Sequence, residues 1–218
     1  MKDSVRKIYD LLFERHPEFE PCRDSVLGAY ESICKTYRNG GCVFTCGNGG
    51  SCADSEHIVG ELMKSFMFRR NINKDLKRRL TSMGNDGKAL ADKLEGSLPA
   101  VSLCGHPALS TAFLNDADPK MTFAEQLLGL AHKGDTVIIL STSGNSENCV
   151  YAALLACALG VRTVALTGMS DSRLSEICEI TIKVPEYETF KVQECHLPIY
   201  HALCAMTEET FFEHVDLR

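Results

Sequence analysis

The sequence contains no apolar run near the roughly 18 residues that a membrane-spanning helix requires. Its opening stretch, MKDSVRKIYDLLFERHPEFE, is polar and amphipathic and lacks the apolar centre of a signal peptide. None of its eleven cysteines forms a CxxC pair, so zinc-finger and thioredoxin-type readings have no support. The cysteine count is odd, and Cys42, Cys46, Cys104, Cys157 and Cys204 lie inside apolar segments. That usage fits buried thiols acting as small hydrophobes in a reducing compartment, so a cytoplasmic location is expected. Positive charge is not in excess: the formal net charge is −6, which argues against nucleic acid or an anionic membrane as a partner. A local anion pocket remains compatible with that balance. There is no internal repeat and no low-complexity tract. Two nucleotide signatures are missing as well. GNGGSC (47–52) carries Cys52 where G-x-G-x-x-G needs its third glycine, and neither glycine-bearing loop reads G-x-x-x-x-G-K-[ST].

What is present is a pattern of short, continuous apolar runs: CVFTC (42–46), AVSLC (100–104), TVIIL (136–140), TVALT (163–167) and ITIKV (180–184). Segments of helical periodicity separate or flank them, over about 3–16, 22–38, 52–68, 121–132, 146–159, 171–178 and 190–213. Strands that read as unbroken apolar runs and alternate with helices predict an α/β fold. The expectation is a doubly wound, five-stranded parallel sheet covered on both faces. Residues 1–218 are expected to form one domain, with an N-terminal helical hairpin over 1–40 broken at Pro17 and Pro21. Residues 69–98 are a long polar excursion with helical patches (LKRRL, ALADKLEG) and an expected turn at Gly84–Gly87. This segment is either a solvated helical insert or a lid or subunit contact over the site.

Two loops at the carboxyl ends of strands share one chemistry. GNGGS (47–51) follows the first run and STSGNS (141–146) follows the third. Glycine lets backbone N–H groups close on an anion, the hydroxyls of Ser51, Ser141, Thr142, Ser143 and Ser146 add donors, and each loop opens a helix whose N-terminus favours negative charge. Without a P-loop lysine or a magnesium carboxylate, one terminal phosphate is the simplest ligand. Downstream, His57 and Glu61 share one helix face at i, i+4, and the last helix offers Gln193, Glu194, His196 and His201. Such a set suits a divalent metal such as zinc, or an acid/base pair of Glu61 and His201 with no metal. Gln193 and His201 lie about 12 Å apart along a straight helix. With Pro198 between them, either the helix is kinked or interrupted, or the site is assembled from two chains.

GNGGS followed by His57 and Glu61, then STSGNS, then VQECHLPIYH (192–201), resembles the SIS (sugar isomerase) domain family across nearly the whole chain, and within it the phosphoheptose isomerases. The resemblance implies a flavodoxin-like domain in a homotetramer with active sites between subunits. It implies zinc on His57, Glu61, Gln193 and His201, and substrate contacts at Asn48, Gly49, Gly50, Glu61, Asn115, Asp116, Ser141, Thr142, Ser143, Ser146 and Gln193. The implied reaction is aldose–ketose isomerisation of a sugar phosphate, sedoheptulose 7-phosphate to D-glycero-D-manno-heptose 7-phosphate. It passes through a cis-enediol, with Glu61 and His201 as acid and base. The alternative is a non-catalytic SIS protein that binds a phosphosugar or a protein partner; the joint presence of His57, Glu61, Gln193 and His201 favours the enzyme. A third reading keeps the phosphate loops for lyase or etherase chemistry. Two features depart from the family pattern: Cys52 stands where a histidine is frequent, and the 69–98 segment is longer and borders Glu61.

Overall fold

The structure, a computed structural model, describes residues 1–213; the last five residues of the expected domain, 214–218, lie outside them. The chain begins with α1 (Asp3–Arg15), a 3₁₀ segment (Pro17–Cys22) and α2 (Arg23–Arg38), then enters β1 (Val43–Gly47) and α3 (Gly50–Met63). Two short helices, α4 (Lys74–Thr81) and α5 (Gly84–Lys93), precede β2 (Ala100–Ser102), α6 (Pro107–Asp116) and α7 (Thr122–Leu130). Next come β3 (Thr136–Leu140), α8 (Glu147–Leu159), β4 (Arg162–Thr167), α9 (Arg173–Ile177), β5 (Ile180–Lys183) and the long α10 (Thr189–Phe211). All strand pairs are parallel, in the order β2-β1-β3-β4-β5. The five runs read from the sequence are thus the five strands of a doubly wound sheet.

Alternation along each strand sends side chains to opposite faces. Val43, Ile138, Leu140, Val164 and Leu166 pack with α1, α2, α3 and α10 on one side. Phe44, Cys46, Val137, Ile139 and Ala165 pack with α7, α8 and α9 on the other. Because both faces are covered, the strands carry no polar alternation, which is why they read as unbroken apolar runs. The chain winds outward from β1 to β2 and then returns to β3 on the other side of β1. The carboxyl ends of β1 and β3 therefore flank the switch point where ligands bind in such sheets.

Three local expectations are corrected, and one helix was not foreseen. The last helix runs unbroken through Pro198 for 23 residues, so interruption is excluded. The helix after the first loop spans Gly50–Met63 rather than 52–68, since the carbonyls of Glu61 and Leu62 accept hydrogen bonds from Arg70 instead of from a further turn. The expected turn at Gly84–Gly87 lies earlier, at Ser82–Met83; Gly84 opens α5 at φ +87°, and Gly87 sits inside that helix against the Leu80 carbonyl, where no Cβ fits. Finally, α6 was not legible, because none of its residues is buried and its sequence has no apolar stripe to read.

Candidate active site

The two loops meet. GNGGS leaves β1 through Gly49, which at φ +57° is the N-cap of α3, and STSGNS turns through Gly144 at φ +64° before Ser146 caps α8. Asn48 and Asn148 exchange side-chain amide hydrogen bonds of 2.9 and 2.8 Å, fastening one loop to the other. Between them lies a cavity of about 290 Å³ lined by Asn48, Gly49, Gly50, Ser51, Ser141, Thr142, Ser146, Thr189 and Gln193, with Leu140 at its base. Gly50 lets Gln193 close in: a Cβ there would stand 2.7 Å from Gln193 Nε2 and displace the end of that side chain. Two helix N-termini and the Ser and Thr hydroxyls around one small cavity make an arrangement that suits an anion. The hydroxyl of Ser143 accepts instead from the Asn145 N–H at 3.2 Å.

The second group lies further along the same two helices. α3 and α10 start side by side at Gly50 and Gln193 and again face each other at His57 and His201, whose ring centroids are 5.0 Å apart. His57 Nε2 is 3.0 Å from Glu61 Oε1. Glu61 Oε2 and His201 Nε2 are buried without a hydrogen-bond partner. Burial, followed by the neighbouring His57, pulls the His201 imidazole below its ordinary pKa, with Glu61 opposing. His201 also forms part of the wall of a larger, mainly apolar groove of about 460 Å³ between α1 and α10.

Of the four residues implied as zinc ligands, one chain therefore brings together His57, Glu61 and His201. Gln193 stays at the loop cavity, about 12 Å away along the unbroken helix. Among the described residues no three His, Cys, Asp or Glu side chains converge as a finished metal cage. The donor set nevertheless suits zinc, because Glu61 Oε2, with only Lys64 Nζ near it at 3.8 Å, and the unpartnered His201 Nε2 sit beside an imidazole–carboxylate pair. Asn115 and Asp116 are not brought to either group. They lie exposed at the end of α6, with Asn115 donating to Asp116 at 2.7 Å.

Several residues around the site were not legible in the sequence. Arg70 is fully buried; it donates to the carbonyls of Leu62 and Glu61 at 2.6 and 2.7 Å and pairs with the equally buried Glu208. Glu208 in turn accepts from the Phe66 and Met67 N–H groups, and the Phe66 ring lies 5.4 Å from that of His201. Next to Arg69 and the cations of α4, Arg70 reads as part of a solvated charge run, and nothing local marks it as the buried one. Asp54 and Asn148 likewise carry no motif, and Tyr200, although inside VQECHLPIYH, is given no role by it. His196 is buried with both ring nitrogens unpartnered, and desolvation lowers its pKa to about 4.

A parallel sheet wound 2-1-3-4-5, with glycine–serine loops on both sides of its switch point, is a flavodoxin-like phosphate-binding arrangement, and a family model described as SIS domain matches residues 90–168. The phosphoheptose isomerase of a Nitratiruptor species is 36% identical over 169 residues, 78% of this chain and 77% of that protein. The phosphoheptose isomerase of Aquifex aeolicus is 32% identical over 214 residues, 98% and 99% of the two chains. Among solved structures, a phosphoheptose isomerase from Francisella tularensis aligns with a TM-score of 0.73 at 26% identity, covering 96% of this chain and 100% of that one. The chain belongs to the phosphoheptose isomerase family of SIS-domain proteins.

Proposed function

We propose that the protein is an aldose–ketose isomerase that converts sedoheptulose 7-phosphate to D-glycero-D-manno-heptose 7-phosphate. The observation that carries this reading is the presence in one chain of both a cavity between two helix N-termini that suits an anion and a clustered, partly exposed His57–Glu61–His201 group. The cavity holds the terminal phosphate. Ser and Thr hydroxyls and the N–H groups at the starts of α3 and α8 compensate its charge. At the other end, Glu61 and His201 move protons between C1, C2 and their oxygens through a cis-enediol, one as base and one as acid. The low-pKa His201 imidazole is neutral near neutral pH and suited to exchanging a proton. A binding-only protein has no use for this group, and the relatives are named as isomerases.

Zinc on His57, Glu61 and His201, joined by Gln193, belongs to the same reading; when bound it would polarise the sugar carbonyl. So does a homotetramer with active sites between subunits. Gly50 and Glu61 are eleven residues apart on one helix, about 16 Å. An extended seven-carbon phosphate of about eight bonds spans only about 10 Å. One chain's loop cavity and its own acid/base pair are thus poorly spaced to grip a single heptose, and a second copy offering Gln193 and the loops resolves the mismatch. Eleven free cysteines, several buried, support a reducing, cytoplasmic location. No helix among the described residues is long and apolar enough to cross a membrane.

The test is turnover of sedoheptulose 7-phosphate and of shorter ketose phosphates, with and without added zinc. Aldose product that disappears with Glu61→Gln and with His201→Ala supports the reading. Phosphosugar binding without turnover of any ketose phosphate refutes it in favour of a sensor.

A further inference from the structure

Tyr200 and Asp54 have no part in the reaction as described, yet they complete a chain of contacts that ends on Glu61. Tyr200, on α10 and 1% exposed, places its hydroxyl 2.9 Å from His57 Nδ1 and 3.2 Å from Asp54 Oδ1. The opposite nitrogen of the same imidazole, Nε2, faces Glu61 Oε1 at 3.0 Å. Asp54, His57 and Glu61 follow one another on α3 at spacings of three and four residues, so all three share one stripe of the helix, at the edge of its contact with α10.

The direction of these hydrogen bonds follows from counting protons. A phenol has one hydrogen and an ionised carboxylate has none. The Tyr200 hydrogen therefore goes to Asp54, and the phenol oxygen is left to accept a proton from His57 Nδ1. In the neutral imidazole that assignment puts the Nε2 lone pair on the side of the ring where Glu61 lies, whereas an imidazolium would keep Nδ1–H on Tyr200 and donate Nε2–H to Glu61. In the neutral form, two acceptor atoms 3.0 Å apart cannot satisfy each other, and the arrangement calls for a cation or a shared proton at that point. A tetrahedral zinc with bonds of about 2.0–2.2 Å to both would hold its ligand atoms at a separation of this order. Metal-bound histidines usually donate their second ring N–H to a fixed acceptor, and loss of that acceptor weakens binding.

We propose that Tyr200, oriented by Asp54, is a positioning residue that holds the Nδ1 proton of His57 and so presents the Nε2 lone pair beside Glu61. The phenol also links α10 to α3 at the level of His201, whose ring stands 5.0 Å from the rings of both Tyr200 and His57. The inference rests on the zinc reading above for its consequence, although not for its geometry.

Two measurements keep the inference and that reading apart. Zinc affinity, from competition with a chromophoric chelator, is expected to fall by about 10- to 100-fold in Tyr200→Phe. It should fall in Asp54→Ala as well, and less in Asp54→Asn, which keeps an acceptor oxygen. Unchanged affinity in correctly folded Tyr200→Phe overturns the inference. Nitrogen-15 NMR of histidine-labelled, zinc-free protein is expected to show Nδ1 of His57 protonated in the parent and no longer protected in Tyr200→Phe. An unprotonated Nδ1 in the parent overturns the inference whatever zinc does. If the parent binds no zinc, the zinc reading fails and the NMR result alone decides the role of Tyr200. If Tyr200→Phe folds poorly, Asp54→Ala, at a half-buried site, carries both measurements.

Discussion

Arg70 Nε lies 2.6 Å from Glu208 Oε1, and neither side chain has any exposed surface. The pair joins segments 138 residues apart in sequence and leaves few of its polar atoms idle. The guanidinium closes the carboxyl end of α3 through Leu62 and Glu61, while the carboxylate holds the N–H groups of Phe66 and Met67. It thus fixes both the backbone under Glu61 and the ring that lies over His201.

Removing one partner of a buried ion pair strands the other charge, which costs roughly 3–5 kcal/mol. Arg70→Ala and Glu208→Ala are each expected to lose about that much in urea unfolding. Arg70→Met combined with Glu208→Met should lose clearly less than the two alanine variants summed. Equal, additive losses would mean that the charges do not interact as drawn.

Gly50→Ala tests the loop cavity. A methyl group 2.7 Å from Gln193 Nε2 must push that side chain aside, while Ala suits a helix start. The expected outcome is a rise in KM of about tenfold or more, worth about 1.4 kcal/mol, and weaker competition by inorganic phosphate, with little change in thermal stability. An unchanged KM would remove Gln193 and the start of α3 from the substrate site.

Shared active sites are testable by mixing inactive chains. Glu61→Gln carries an intact loop cavity, and a variant with Ser141→Asp and Thr142→Asp, which repels phosphate, carries an intact acid/base pair. Co-refolded mixtures should regain roughly a quarter of parental activity if each site draws its two halves from different subunits. No recovery from mixed oligomers demonstrated by mass would place each site within one chain.

His196 predicts a stability change with pH. Desolvation holds its folded pKa at about 4, against an ordinary value of about 6.5. The backbone of Thr167 opposes the shift without giving either ring nitrogen a hydrogen bond of good geometry. Above about pH 6.5 the imidazole is neutral in both states and the stability is full. As pH falls toward 4 the unfolded chain takes up a proton that the folded chain refuses, so stability drops, by up to roughly 3 kcal/mol. Below about pH 4 this contribution is flat. The slope between about pH 7 and about pH 4.5 should be shallower in His196→Leu than in the parent; identical slopes would assign the effect to other groups.

The sequence by itself determined the strands, the two glycine–serine loops and the shared face of His57 and Glu61. Each depends on short-range facts: apolar runs for strands covered on both sides, glycine where φ is positive at 49 and 144, and the roughly 3.6-residue helical period. What only the tertiary structure decided depends on pairings across the chain. Gln193 and His201 share a helix and a motif, but the register of α10 along α3 sends one to the phosphate loops and the other to His57. Pro198 announced a break that did not occur, since the buried apolar residues of α10 on either side of it keep the helix packed on the sheet. Arg70 looks ordinary among its neighbours in sequence, and the VQECHLPIYH motif around Tyr200 marks no role for it. Burial and a partner far along the chain, 138 residues from Arg70 and 143 from Tyr200, gave each its role. An electrostatic or hydrogen-bonded site is defined by distance in space, which local patterning does not encode.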